Sequence, residues 1–308
     1  MPASQSSNLP DIPKLLSLAD RQAQAASERF VLPFSLQVWR GSAGNWQGAG
    51  VGSSIDFQDH RSYFAGDDPR HINWNAYART GHYSMKLYRE EVSPQVDLFF
   101  DASHSMFFET PKALRSLELL YLAVHSARRA GASLRAWVAG SSEGPPEPLD
   151  LDQLLALRWQ PQELAQLPES DAPAPSQKWN RAPVRPHALR VFISDLLFPG
   201  APESHLSPQV FSNHAPSVLL CPFLRSEENP AWLGNVDLRD CESRAHRQQR
   251  FSKKQLDAYH QKYQAHFESW RDFARRRGLR LARVCADEVL PQALLAEPVS
   301  THALELCN

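Results

Sequence analysis

Cysteine is scarce in this chain of 308 residues, and Cys221, Cys241, Cys285 and Cys307 form no C-x-x-C pair. That spacing argues against a zinc site or a disulfide framework and for reduced thiols. No stretch approaches the roughly 18 apolar residues of a spanning helix, and Met1 to Pro10 is polar, without the apolar core of a signal peptide. Charge of one sign is also missing. Thirty-three basic residues face 34 acidic ones, for a net charge of −1, so bulk electrostatics favour neither nucleic acid nor membrane. There is no P-loop G-x-x-x-x-G-K-[ST], no dinucleotide G-x-G-x-x-G and no G-x-S-x-G nucleophile turn. Gly48-x-Gly50-x-Gly52 lacks a following helix and reads as a turn. Together these absences lead us to expect a cytoplasmic protein.

What is present is ordinary globular material, 42% hydrophobic and 22% charged, with proline outnumbering glycine 24 to 13. Leu15, Leu16, Leu18 and Ala19 predict a short helix over 11–28, and 30–57 reads as short strands and turns. Val96, Leu98, Phe99 and Phe100 form a run typical of a buried strand. After it, Thr110 can cap a helix that opens on Pro111 and stops at Gly131. Further strands are expected at 134–138, 189–193, 217–221 and 279–284, and a short helix at 151–157. A long amphipathic helix is expected to present Leu256, Tyr259, Tyr263, Phe267, Trp270 and Ala274 on one face and to end at Gly278. The six prolines of 161–188 forbid one continuous helix there. Strands alternating with helices imply an α/β fold, a mostly parallel sheet covered on both faces. Three segments follow from this reading: a tail and short helix over 1–28, a β-rich module over 29–95, and the α/β domain over 96–308.

Chemistry concentrates where the first buried strand ends, at Asp101-Ala102-Ser103-His104-Ser105. Open α/β sheets place ligands at the carboxyl ends of their strands. One carboxylate and two hydroxyls suit a hard, oxygen-seeking cation such as Mg²⁺. Asp195, just after the strand 189–193, fits a further acidic position. The candidate metal residues are therefore Asp101, Ser103, Ser105 and Asp195, with no catalytic residue assigned. The plain alternative is that Asp101 and Ser103 merely cap the following turn. His104, between two inward hydroxyls, is expected to point to the surface.

A second block, Arg61-Ser-Tyr63-Phe-Ala-Gly66-Asp67-Asp68-Pro-Arg70-His-Ile72-Asn73-Trp74, continues through Ala78-Arg79-Thr80-Gly81. With the D-x-S-x-S turn some twenty residues later, it resembles the bacterial domain-of-unknown-function family number 58. Asp237-Leu238-Arg239-Asp240-x-Glu242 and the long helix are also similar to that family. The resemblance implies a von Willebrand factor A-like (Rossmann-like) domain behind an N-terminal β-rich module. It implies a metal-ion-dependent adhesion site at the D-x-S-x-S turn. It also implies a partner, since the family's genes are typically associated with MoxR-type AAA+ ATPases, and an adaptor role in assembly or maturation of protein complexes. Two departures stand out. Most members carry Asp where this chain has Asn73. The adhesion site also needs a middle-loop threonine, whereas Thr80, Thr110 and Thr301 are the only threonines here, leaving Ser170 or Ser176 to substitute.

On this reading Ser103 and Ser105 hold Mg²⁺ directly, Asp101 and Asp195 hold it through water, and the cation attracts a carboxylate from a client protein. The alternatives are a metal-dependent hydrolase built on Asp101 and Asp195, and a metal-free scaffold with a decayed site. Arg61, Asp67, Asp68, Arg70 and Arg79 are expected to form structural arginine–carboxylate bridges tying the N-terminal module to the sheet. Trp74 and Tyr77 are expected in the core. The basic run Arg244, Arg247, Arg250, Lys253 and Lys254 reads as a solvated helix face or protein-docking surface, with no nucleic-acid role.

Overall fold

The computed structural model describes residues 12–36, 46–51, 57–64, 68–140, 145–159, 178–206, 215–240 and 246–307. Helix α1 (Ile12–Ala26) is the first described element and is followed by the short strand β1 (Phe30–Val31). Strands β2 (Trp46–Val51), β3 (Phe57–Ser62) and β4 (Ser84–Val92) make a three-stranded antiparallel sheet in the order β2-β4-β3, with helix α2 (Trp74–Thr80) between β3 and β4. Gly48 and Gly50, expected in a turn, lie on β2.

The main sheet comprises β5 (Gln95–Asp101), β6 (Ser133–Ala139), β7 (Glu147–Pro148), β8 (Leu189–Ile193), β9 (Ser217–Phe223) and β12 (Arg280–Cys285), in the order β12-β9-β8-β5-β6-β7. All pairings are parallel except β7 on β6. Between β9 and β12, β10 (Gly234–Arg239) and β11 (His246–Phe251) form a separate antiparallel hairpin.

Alternation along β5 separates two apolar layers. Val96, Leu98 and Phe100 join Val191, Ile193 and Leu220 under α1 and helix α3 (Thr110–Arg129). Phe99 stacks on Trp137 and Phe192 on the opposite face, where the long helix Lys253–Arg277 contributes Tyr263, Phe267, Trp270 and Phe273. The sheet is thus covered on both faces, as expected from the strand–helix alternation. The long helix carries a Ser252–Gln255 capping box and ends at Gly278, whose φ of +69° is the left-handed conformation that favours glycine.

Helix α1 shares the core of α3. His125 Nε2 lies 2.7 Å from Asp20 Oδ1, Ser126 Oγ accepts the Leu32 N–H at 2.7 Å, and β1 pairs with β13 (Glu305–Leu306). Residues 12–36 therefore pack with the sheet of 95–307.

Helix α3 begins one residue earlier than the capping signal suggests, with Glu109 at the cap and Pro111 second in the helix. Trp74 is 57% exposed, contrary to its expected core position, with Tyr77 and Tyr83 stacked beside it at 4.4 Å. The basic run does not lie on one helix face. Arg247 and Arg250 are on β11, Lys253 and Lys254 start the long helix, and Arg244 lies outside the described residues.

Candidate functional site

In the order β8-β5-β6 the chain runs from β5 to one side, then returns to the other. The carboxyl ends of β5 and β8 therefore flank a topological switch point, where crevices form in open sheets. Asp101 ends β5, and Ser194 and Asp195 follow β8 directly, so register alone brings the two acids together. The short 3₁₀ turn His104–Met106 then leads Ser103 and Ser105 back over the strand ends.

All four predicted metal residues converge. Asp101 Oδ1 accepts the Ser103 N–H at 2.9 Å, which is the turn-capping bond of the plain reading, while the Ser103 side chain makes no capping bond. Asp101 Oδ2 accepts the Ser194 hydroxyl at 2.6 Å. Ser103 Oγ and Ser105 Oγ are 3.1 Å apart, and Ser105 also hydrogen-bonds Asp195. Asp101, Ser103, Ser194 and Asp195 are buried, and Ser105 alone of this group is half-buried. His104 is buried as well, against the expectation of a surface residue.

Three residues of the cluster escaped the sequence reading. Ser194 is one. Lys112, fully buried in the first turn of α3, donates to Asp195 Oδ2 at 2.8 Å and to Glu227 Oε1 at 2.5 Å. Glu227 comes from the short helix Arg225–Glu228 and also accepts the Leu224 N–H at 2.8 Å. A signal for Lys112 existed, because a cation in a helix's first turn opposes the macrodipole and persists only where carboxylates hold it.

The electrostatics follow from burial and pairing. Burial alone pushes the Asp195 carboxyl up, but the Lys112 ammonium overrides it and leaves Asp195 below the usual carboxylate range. Burial would lower the Lys112 pKa, yet Asp195 and Glu227 outweigh it and raise it. Asp101 is raised by burial and by the charge of Asp195, against the hydrogen bonds from Ser103 and Ser194. Glu227 is raised by burial despite Lys112. Lys112 bridges Asp195 and Glu227, and Asp101 adds a third carboxyl beside Asp195, so full ionisation would leave two negative charges uncompensated. A divalent cation would neutralise that excess.

Octahedral Mg²⁺ at about 2.1 Å sets neighbouring ligand oxygens about 2.9 Å apart, and the 3.1 Å between the two serine hydroxyls is equally that of the hydrogen bond between them. Ser170 and Ser176, the expected substitutes for the middle-loop threonine, lie outside the described residues. Among the described residues, no group of three or more His, Cys, Asp or Glu side chains is placed to hold a metal, so any cation here depends on hydroxyl ligands.

The family model for the protein of unknown function DUF58 matches residues 59–269, which include both the Arg61–Gly81 block and this cluster. The chain belongs to that family. No curated protein and no solved structure matches it.

In this DUF58 member several bonds of the signature block are local, and the Tyr63 and Asn73 N–H groups also tie it to Tyr83 O and Ser84 O. Asp68 caps the 3₁₀ turn Pro69–His71 and pairs with Arg70 at 2.6 Å, both within the turn, and Asp67 lies outside the described residues. Arg79 Nε donates to Asn75 O at 3.3 Å, one helical turn back. Asn73 caps α2 by accepting the Ala76 N–H at 3.1 Å. Aspartate fills that role equally well, so the departure at Asn73 preserves the cap. Among the described residues, no helix is long and apolar enough to cross a membrane.

Proposed function

We propose that this protein is a non-enzymatic interaction adaptor with a von Willebrand factor A-like domain, working beside a MoxR-type AAA+ ATPase on a client protein in the cytoplasm. The ends of β5 and β8 are its adhesion surface. Ser103 and Ser105 would hold Mg²⁺, with Asp101 and Asp195 as outer carboxylates, and the cation would supply a Lewis-acidic seat for a partner's Asp or Glu. The observation that carries this reading is the character of the rim. Phe108 is 46% exposed and Leu197 40%, and they stand beside the cluster, Phe108 with Lys112 5.3 Å from its ring centroid and Leu197 donating its N–H to Asp195 at 3.1 Å. Exposed apolar side chains beside a polar pocket give a partner protein apolar surface to cover. Ser194, the hydroxyl paired with Asp101, is only 1% exposed, which disfavours a nucleophilic role.

The Lys112–Asp195 pair supports a second reading, in which the cluster is a metal-free clasp and the rim alone binds. One experiment separates the two: affinity capture from lysate with wild type and Asp101→Ala, each in magnesium and in chelator, with partners identified by mass spectrometry. Retention of an AAA+ ATPase by wild type in magnesium alone supports the adhesion site. The same partners in all four conditions would favour the metal-free clasp.

A further inference from the structure

A cavity of about 660 Å³ opens on the outer side of α3, between α1 and the start of the helix Leu290–Leu295. Its volume is in the range of sites that hold small organic molecules. Most of its wall is apolar, including Ala26, Phe30, Leu114 and Leu290.

One charged side chain in this wall is unusual. Arg115 is 3% exposed, and its Nε and Nη1 have no hydrogen-bond partner among the described residues. Only Nη2 is used, donating to Glu288 O at 2.6 Å. Glu118 Oε2 lies 3.3 Å from Nε, an ion-pair contact outside hydrogen-bond geometry. A guanidinium has five N–H donors in a fixed fork. Nη1 is left for an acceptor that the described residues do not supply. Buried, unused donors of this kind are costly unless a ligand or water takes them.

We propose that this cavity binds an amphipathic monocarboxylate, whose carboxylate accepts from the Arg115 guanidinium and whose hydrocarbon body lies against Phe30, Leu114 and Leu290. One negative charge suits the site better than a phosphate dianion, because Glu118 already offsets part of the arginine. Glu118 is raised by burial to about 7, against the pull of Arg115, so it takes up a proton easily when a second carboxylate arrives. Arg29, also in the wall, adds a second positive charge near the mouth. This inference needs no metal ion and so does not rest on the adhesion site, although Lys112 and Arg115 stand one helical turn apart on α3.

The test is calorimetric titration of the full chain with octanoate, octanol and octylamine. Octanoate binds at least tenfold more tightly than the other two. Arg115→Gln weakens octanoate at least tenfold, and so does Ala25→Trp, which fills the mouth from an exposed position and leaves the guanidinium intact. Three outcomes would each overturn the proposal: no octanoate binding to wild type, equal binding of octanoate and octanol, or unchanged octanoate affinity in either folded variant. Ala25→Trp and the octanol comparison decide the matter even where Arg115→Gln does not fold.

Discussion

The ammonium of Lys112 lies 2.8 Å from the carboxylate of Asp195, and the two side chains are 0% and 2% exposed. A buried pair of this kind adds little net stability when intact, because desolvation of both ions offsets their attraction. Breaking it is different. Lys112→Met leaves Asp195 and Glu227 buried without their cation, and we expect a loss of about 3–5 kcal/mol. Urea unfolding with and without magnesium measures this. If a cation site lies here, the variant recovers more stability from magnesium than wild type does. An equal response in the two proteins would place the magnesium effect elsewhere.

How much of this site could be read from the sequence depended on how local each signal is. Asp101, Ser103 and Ser105 alternate within five residues of one turn, and Asp195 closely follows a strand whose apolar run, Leu189–Ile193, declares itself. Lys112 stood out locally only as a cation in a helix's first turn, and its burial depends on Glu227, 115 residues away. The hairpin β10–β11 was missed for another reason. His246–Phe251 is polar at most positions, so neither the alternation of a half-buried strand nor an apolar run marks it. Trp74 misled because a large aromatic ordinarily reads as core, whereas here it edges an exposed ring cluster with Tyr83 at 6.4 Å.

Magnesium should stabilise the protein through the two serine hydroxyls. At a concentration 100 times its dissociation constant, one bound ion adds about 2.7 kcal/mol. Ser103→Ala with Ser105→Ala should abolish that increment, on top of a magnesium-independent cost of about 1–3 kcal/mol for the hydrogen bonds lost to buried Asp101 and Asp195. Thermal unfolding in magnesium against chelator reads the difference. A midpoint that rises equally in wild type and the double variant would exclude these hydroxyls as ligands.

The rim should matter to binding more than to folding. Phe108→Ala and Leu197→Ala remove exposed apolar surface, and each is expected to weaken partner retention at least tenfold, as truncation of an interface anchor does. Surface substitutions usually change stability by within about 0.5 kcal/mol. Partner affinity and unfolding midpoint, measured on the same samples, distinguish a docking patch from incidental exposure.

A buried ion pair at the opposite end of β5 provides a control. Asp97 is fully buried and accepts the Arg185 N–H at 2.7 Å and Arg185 Nε at 2.8 Å, while Arg185 Nη2 donates to Val96 O at 2.6 Å. Arg185→Met should cost about 3–5 kcal/mol by stranding Asp97. Its magnesium increment should match that of wild type, because Asp97 lies four residues before Asp101, toward the other end of β5. A lost increment would show that stability, rather than ligation, governs the magnesium response.

Glu118 sets the direction of a pH effect. Burial raises its pKa from 4.5 to about 7, with Arg115 pulling the other way. Between these values the folded protein holds a proton that the unfolded chain has released. Stability from this group is therefore greatest below about pH 4.5 and declines as pH rises toward 7, by up to about 1.4 kcal/mol per pH unit. Asp195, whose pKa is lowered, acts oppositely and loses its contribution only as pH falls below the ordinary carboxylate range. Urea unfolding at intervals from pH 5 to pH 8 should thus show a declining stability in wild type and a flatter profile in Glu118→Gln, which remains neutral throughout. Parallel profiles would mean that Glu118 keeps its charge in the fold, compensated by the guanidinium of Arg115.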